Sequence, residues 1–321
     1  MRFTEIDGMI LQDFLVRDRG GYYCRYGDFH VDPKDPVQHA VISHGHGDHA
    51  TPGHQQAFLT APTRHFMELR FSRMHLPKFR EIGFHQTFRL GDVDLTLYPA
   101  GHILGSAQIL MEYAGVRYLY TGDYKMQPDP TCEPFEAVPA DVLITETTFA
   151  DPEVQHPAAE QEILKLNPIQ SHIMLGTYSL GKAQRLTTLI DQYCPERKIL
   201  VHHGILPIHR IYEYFGVELG NYEIYNRKAM KNPGPPYQVY LVPPMTFRSY
   251  IRAKNVVRAF ASGWSHLQQH NQLALYISDH VDWADILQVI SLVKPQEIWT
   301  IHGEGKHLKH HLGEQLPVRP L

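Results

Sequence analysis

The run His44-Gly45-His46-Gly47-Asp48-His49 packs three imidazoles and a carboxylate into six residues. These are nitrogen and oxygen ligands of the kind that suits zinc or manganese. The intervening glycines are expected to supply the backbone freedom that lets one tight loop aim several side chains into the same space. The loop is too rich for one tetrahedral ion that also needs ligands from elsewhere, so two ions are the expected count. A surface histidine cluster is the alternative, and the added Asp48-His49 spacing argues against it.

Further ligands are expected where other apolar strands end. Pro99-Ala-Gly-His102 sets a histidine in a glycine-flanked turn, and Tyr120-Thr-Gly-Asp123 sets an aspartate just past a hairpin strand. Two late histidines follow, in Ile277-Ser-Asp-His280 and in Ile298-Trp-Thr-Ile-His302-Gly. Taken singly, each has an ordinary structural alternative: a turn or cap aspartate, a core histidine. As a set, they repeat one pattern, a possible ligand directly after an apolar strand.

The elements that must position these residues are legible in the hydrophobic pattern. Alternation predicts strands near 9–16, 21–31, 84–88, 92–99, 107–113 and 116–121, with a hairpin turn at Ala114-Gly115. His39–Ser43 and Asp141–Thr145 read as short buried strands, the latter ending at Glu146. A helix is expected over Thr63–Met74, with Pro62 just before it. From about Asp151, helical stretches (158–166, 181–193, 205–215) alternate with apolar strands at His172–Gly176, Ile199–His202, Val239–Val242 and Val256–Ala259. That is the rhythm of a parallel sheet. A strand ending near Ser278, a helix from Asp282, a strand at Glu297–Ile301 and a His/Lys-rich helix complete the chain. A β-rich first half, an α/β middle and a βαβα tail predict an inserted domain.

Composition bounds the function. The 321 residues are 43% hydrophobic and 20% charged, enough for a substantial core and against wholesale disorder. Thirty lysines and arginines against 34 acids give a net charge of −4, which excludes a uniformly basic nucleic-acid coat. Any polyanion must be held by local patches or by metal. No apolar run reaches the ~18–20 residues of a membrane span. Glu5 and Asp7 ahead of a short apolar run do not read as a signal peptide. Cys24, Cys132 and Cys194 are scattered, so neither a disulfide framework nor a thiolate metal site is indicated, and a cytoplasmic protein is expected. The 22 histidines are the outlier.

The order HxHxDH, single His, Asp, then two late histidines resembles the metallo-β-lactamase fold. The long stretch between Glu146 and His280 is similar to that of the β-CASP nucleases. Closer still, Gly27-Asp-Phe-His-Val-Asp32-Pro, VISHGHGDHA, PAGHILGSAQI, TGDYKMQPDPTCEPFE, ITETTF, Tyr178-Ser-Leu-Gly-Lys-Ala-Gln-Arg185, RAFASGW and Ser278-Asp-His-Val-Asp-Trp283 resemble the bacterial ligase-associated DNA exonuclease family over nearly the whole chain. The resemblance implies an αββα sandwich formed by residues 1–151 and 272–321, with an inserted α/β β-CASP domain, its sheet mainly parallel, over 152–271. It implies one Zn²⁺ or Mn²⁺ ion on His44, His46 and His102, a second on Asp48, His49 and His302, and Asp123 bridging them. Asp48 would both ligate and orient the attacking hydroxide. His280 would protonate the leaving oxygen, with Glu146 fixing its tautomer. Asp32 would stand behind a ligand histidine, a turn residue being the alternative. For Asp282, near His280, a plain helix N-cap is preferred.

The implied activity is metal-dependent cleavage of phosphodiester bonds in nucleic acid, most of all DNA exonuclease action in repair. The family name also implies association with a ligase and a helicase. An RNA-processing ribonuclease of the same branch is the alternative. A small-molecule hydrolase would have no use for so large an insertion. A non-catalytic relative would have lost ligands. Substrate contacts are expected from the insertion: Ser179, Gly181, Lys182 and Arg185 where a strand gives way to a helix, so that free NH groups and positive charge meet a phosphate. Basic clusters at Arg64/Arg70/Arg73/Lys78/Arg80, Arg227/Lys228/Lys231 and Arg248/Arg252/Lys254/Arg258 read either as phosphate tracks or as solvated faces.

Overall fold

The computed structural model describes residues 8–74, 76–226, 231, 234–251, 255–269 and 271–321. Glu5, Asp7, Arg227, Lys228, Arg252 and Lys254 lie outside the described residues. The chain is a mixed α/β protein with three sheets. It divides into two units, one of residues 1–126, 133–155 and 280–321, the other of 127–132 and 156–279.

The first unit contains two sheets. One is formed by β1 (Val16–Arg17), β2 (Tyr22–Cys24), β3 (Phe29–Val31), β4 (His39–Val41), β5 (Gln56–Leu59) and β6 (Lys78–Glu81), side by side in that order. The other comprises β7 (Thr87–Leu90), β8 (Val93–Pro99), β9 (Ala107–Tyr113), β10 (Val116–Tyr120), β11 (Val142–Glu146), β18 (Glu297–Ile301) and β19 (Val318–Pro320). Its order is β19-β18-β11-β10-β9-β8-β7. β7 to β10 are antiparallel neighbours, while β10, β11, β18 and β19 run parallel.

Period-two alternation explains the layering. Ile109, Met111, Tyr118, Tyr120, Val142, Ile144, Trp299 and Ile301 share a core with Phe29, Val31 and Val41 of the other sheet. Leu110, Leu119, Leu143 and Ile298, one step out of phase, instead meet Ile286, Val289, Ile290 and Val293 of α6 (Trp283–Val293) and Leu308 of α7 (Lys306–Leu312). On the first sheet's far face, Ala40, Ile42, Ala57 and Leu59 pack on Met67 of α1 (Ala61–Arg70). The unit is therefore layered helix, sheet, sheet, helix. Strands buried on both faces read as continuous apolar runs, which is why 107–111 and 142–146 are so uniformly buried.

The second unit holds one parallel sheet, in the order β14-β13-β15-β12-β16-β17. The strands are β12 (His172–Gly176), β13 (Lys198–Val201), β14 (Glu223–Ile224), β15 (Gln238–Val242), β16 (Val256–Ala261) and β17 (Leu273–Leu275). α2 (Ala159–Leu164) and α3 (Lys182–Tyr193) cover one face, through Ile163, Ala183, Leu186 and Ile190. Phe247 of α5 (Pro244–Ser249) covers the other, and α4 (Leu206–Tyr214) follows β13.

Two expectations need correction, and one strand, β6, was not anticipated. Residues 9–16 are turns until Val16, because Leu11 and Phe14 close the sandwich core: Phe14 stacks on Tyr118 at 3.8 Å, and the Leu11 NH donates to the Tyr118 hydroxyl at 2.8 Å. β6, whose KFRE sequence is mostly exposed, carries too little apolar signal to read as a strand. The boundary expected at 271/272 moves to about 279, since Leu273–Leu275 pairs with Ala259–Ala261 in the second unit's sheet.

Candidate metal centre

Strand direction brings the candidate ligands to one edge. β10, β11 and β18 are parallel neighbours, so Asp123, Glu146 and His302 emerge together. β8 is antiparallel to β9, and β9 to β10, so β8 ends at that edge too and delivers His102. β4, in the facing sheet, runs into His44–His49. Glycine is required where the turns are tightest. A Cβ on Gly101 (φ 72°) would lie 2.3 Å from the Lys125 carbonyl oxygen, and one on Gly122 (φ 56°) 2.9 Å from the Ser43 Cβ. Gly45 and Gly47 are not left-handed, contrary to expectation. Gly45 is needed for space, its Cβ position lying 2.8 Å from the Phe66 ring.

His44, His46, His102 and Asp123 form one cluster of potential ligand atoms; His49, Asp123 and His302 form a second. In the first, the His46 Nδ1 lies 3.0 Å from both His44 Nε2 and His102 Nε2. That is near the roughly 3.3 Å separating nitrogens around one tetrahedral ion with ~2.0–2.1 Å bonds. Asp123 touches both clusters: Oδ2 is 3.6 Å from His44 Nε2, 3.9 Å from His102 Nε2 and 3.5 Å from His49 Nε2, while Oδ1 is 3.7 Å from His302 Nε2. Asp48 is mostly exposed, with Oδ2 3.8 Å from His49 Nε2.

The surroundings test whether these residues fit a metal ion. The Asp32 Oδ2 sits 2.7 Å from His49 Nδ1 and accepts from the Ser43 and Tyr120 hydroxyls at 2.6 and 3.0 Å. With Nδ1 donating to Asp32, the Nε2 lone pair of neutral His49 faces Asp123 and His302. This atom is buried and has no hydrogen-bond partner. A buried polar atom without a partner is costly, and a cation among these donors satisfies it. Electrostatics agree. Burial disfavours charge on His49, yet the Asp123 and Asp32 carboxylates outweigh it and hold its pKa well above that of ordinary histidine. A site that holds a proton so firmly also favours a metal cation in its place. Burial, with His49 beside it, pushes His44 well below the usual value, keeping it the neutral imidazole that ligation needs. Burial opposes ionisation of Asp123, but His49, His280 and His44 hold its carboxyl well below the usual range.

His280 and Glu146 pair closely, and with Asp123 they form a third group of potential ligand atoms. His280 Nδ1 is 2.9 Å from Glu146 Oε2 and 3.1 Å from Oε1. Glu146 is fully buried and also accepts from the Tyr124 NH at 3.0 Å and the Thr148 hydroxyl at 2.7 Å. Each of its oxygens thus meets the imidazole and one further donor. The His280 ring lies 4.9 Å from that of His102. Asp282 caps α6, accepting from the Ala284 and Asp285 NH groups.

Ser179, Gly181, Lys182 and Arg185 do not form the expected phosphate cradle. The Gly181 NH donates to Gln184 Oε1 at 2.7 Å, and the Ala183 NH to the Tyr178 carbonyl at 3.1 Å. The Ser179 carbonyl accepts from Gln184 Nε2. Lys182 and Arg185 are buried. Lys182 Nζ donates to the Ile277 carbonyl at 2.7 Å and lies 3.3 Å from Asp279 Oδ2. Arg185 binds the Ser278 carbonyl, Asp279 and Gln127 at 2.7–3.1 Å. These cations hold the second unit's own backbone.

Sequence reasoning missed Ser43, whose hydroxyl links Asp32 to His44 Nδ1 at 3.0 Å, and Tyr120. It also missed the left-handed backbone of Asp32 and His302 (φ 43° and 61°). Such strain costs on the order of 1–3 kcal/mol and persists where surroundings enforce it. Their positions next to ligands were the available signal.

No family model matches this chain. It is 29% identical over 319 residues, 94% of its length, to a protein of Opitutus terrae named a probable DNA ligase, 30% of which is matched. It is 30% identical over 210 residues, 52% of the chain, to endoribonuclease YSH1 of Gibberella zeae (25% of that protein), and 35% over 124 residues, 36% of the chain, to endoribonuclease ysh1 of Schizosaccharomyces pombe (16%). The chain thus spans less than a third of each relative. A crystal structure of a protein of unknown function from Enterococcus faecalis V583 superposes with a TM-score of 0.59 over 88% of this chain and 78% of its own, at 14% identity, which is a likeness of fold. By sequence, the chain is similar to a protein named a DNA ligase and to proteins named endoribonucleases, with the subfamily open between them.

Proposed function

We propose that this protein is a two-metal-dependent nuclease that hydrolyses phosphodiester bonds of nucleic acid. In this reading it is a metallo-β-lactamase fold with a β-CASP insertion, and a DNA exonuclease of repair. The observation that carries it is the convergence of two histidine groups on the single carboxylate of Asp123.

His44, His46 and His102 would hold one ion, and His49, His302 and Asp48 the other, with Asp123 shared. When bound, such ions make water acidic enough to attack at neutral pH and stabilise charge on phosphoryl oxygens. The protein's own groups do the rest. Asp48 orients the attacking water and accepts its proton. His280, its Nδ1 fixed by Glu146, gives a proton to the leaving oxygen as the phosphorus–oxygen bond breaks. Asp32, Ser43 and Tyr120 hold His44 and His49 in the tautomers that ligate.

The relative matched over 94% of the chain, a probable DNA ligase, favours DNA as substrate, and work at the ends a ligase joins. The endoribonuclease relatives, though matched over shorter stretches, support RNA cleavage as the second reading. Among the described residues no helix is long and apolar enough to cross a membrane. The test is a time course on end-labelled single- and double-stranded DNA and matched RNA, with Zn²⁺, Mn²⁺, Mg²⁺ or chelator. Cleavage of DNA that chelator abolishes is expected, and preferential cleavage of RNA would favour the second reading.

A further inference from the structure

A cavity of about 410 Å³ in the first unit opens beside Asp48, His49 and His302. Its volume lies within the roughly 300–1,000 Å³ of small-molecule sites. Its wall carries three exposed cations: Arg17 on β1, Arg19 on the following turn, and Lys34 just past β3. None of the three side chains has a hydrogen-bond or ion-pair partner among the described residues.

Of the acids on the same wall, Asp48 stands exposed 3.8 Å from His49, where the proposed function makes it a metal ligand, and the others are engaged elsewhere. Asp18 accepts from the Gly20 NH at 2.7 Å and the Gly21 NH at 3.1 Å and pairs with His30 Nε2 at 3.0 Å. Glu304 pairs with Lys306 at 2.9 Å, and Asp32 is committed to His49, Ser43 and Tyr120. The rim is also stitched in place, by the Asp18 NH donating to the Gly21 carbonyl and the Lys34 NH to the Gly20 carbonyl, both at 2.9 Å. In a chain of net charge −4, three cations without partners thus stand together at the mouth of the candidate metal centre.

We propose that this cavity is a nucleotide subsite, in which Arg17, Arg19 and Lys34 bind the backbone phosphates flanking the scissile ester on the Asp48/His49/His302 side. The assignment rests on the nuclease reading for which ester is cut, but not for the binding itself. Guanidinium groups suit phosphate through paired donors, and lysine adds a point charge.

The test is fluorescence anisotropy of a labelled single-stranded oligonucleotide on the full chain in chelator, where no cleavage competes, across a salt series. For R17A/R19A/K34A, binding should weaken by about tenfold or more at low salt, with the slope of log K against log salt shallower by about 0.7 for each phosphate no longer neutralised. R17K/R19K/K34R should restore most of the affinity, which separates lost charge from misfolding. R89A is the control, since Arg89 is exposed but lies on β7 3.7 Å from Asp94. Wild-type affinity and slope in the triple alanine variant, or an equal loss in R89A, would overturn the proposal. If the wild type binds through these residues but cleaves nothing when metal-loaded, the nuclease reading fails and the subsite stands.

Discussion

His49 and Asp32 are joined at 2.7 Å through Nδ1 and Oδ2, both side chains buried, and this contact turns the unpartnered Nε2 of His49 toward Asp123. Asp32→Asn should weaken metal binding about 10–100-fold, measured by competition with a chromophoric chelator. Unchanged affinity would mean that Asp32 is only a turn residue.

His46→Ala removes the nitrogen that lies between His44 and His102. Elemental analysis should find at least one ion fewer per chain than in the wild type, and cleavage should fall with it. Full metal content would contradict the ligand assignment.

His280→Ala should keep the wild-type metal content and lose kcat by about 10²–10⁴-fold, the usual contribution of general acid–base catalysis, with a smaller change in KM. Glu146→Gln should lower kcat in the same direction but less. Loss of metal from H280A would make His280 a ligand.

Arg185 is buried against Asp279, Gln127 and the Ser278 carbonyl. Arg185→Ala should therefore destabilise the second unit by up to about 3 kcal/mol, because it removes one of the two buried cations on Asp279, Lys182 being the other, and the cation beside Asp129. Urea unfolding measures this. Unchanged stability with weakened oligonucleotide binding would restore the phosphate role.

His209 is held neutral: Gln184 Nε2 donates to its Nδ1 at 2.9 Å, and its Nε2 faces the Thr187 hydroxyl at 3.0 Å. Burial pushes its pKa down to about 4. The unfolded chain then takes up a proton that the folded chain refuses, so the stability from this group is complete above about 6.5 and declines as pH falls to about 4. The loss is at most about 3 kcal/mol. His54, also pushed to about 4 by burial, adds a like dependence. Urea midpoints between pH 4 and 7 should show His209→Gln flattening part of this slope, and an unaltered slope would contradict it.

The sequence carried the site further than the fold. The candidate ligands that the fold brings together were legible as a set, because a histidine or aspartate directly after an apolar run recurs several times, while each alone has an ordinary structural alternative. What it could not carry was side-chain commitment. Lys182 and Arg185 looked like phosphate ligands because charge is visible in a sequence and burial is not; Asp279, their partner, lies over ninety positions away. Likewise Arg17, Arg19 and Lys34 are too few and too dispersed to register as a patch until the turn after β1 meets the end of β3. Strand β6 was missed because an edge position demands little apolar patterning.

The most direct test of the central claim is the cleavage of end-labelled single-stranded DNA by one preparation assayed with its ions in place and after removal by chelator. The account predicts two ions per chain, cleavage in their presence, none in their absence, and recovery on adding Zn²⁺ or Mn²⁺. A sample with both ions bound that leaves DNA and RNA whole would contradict it.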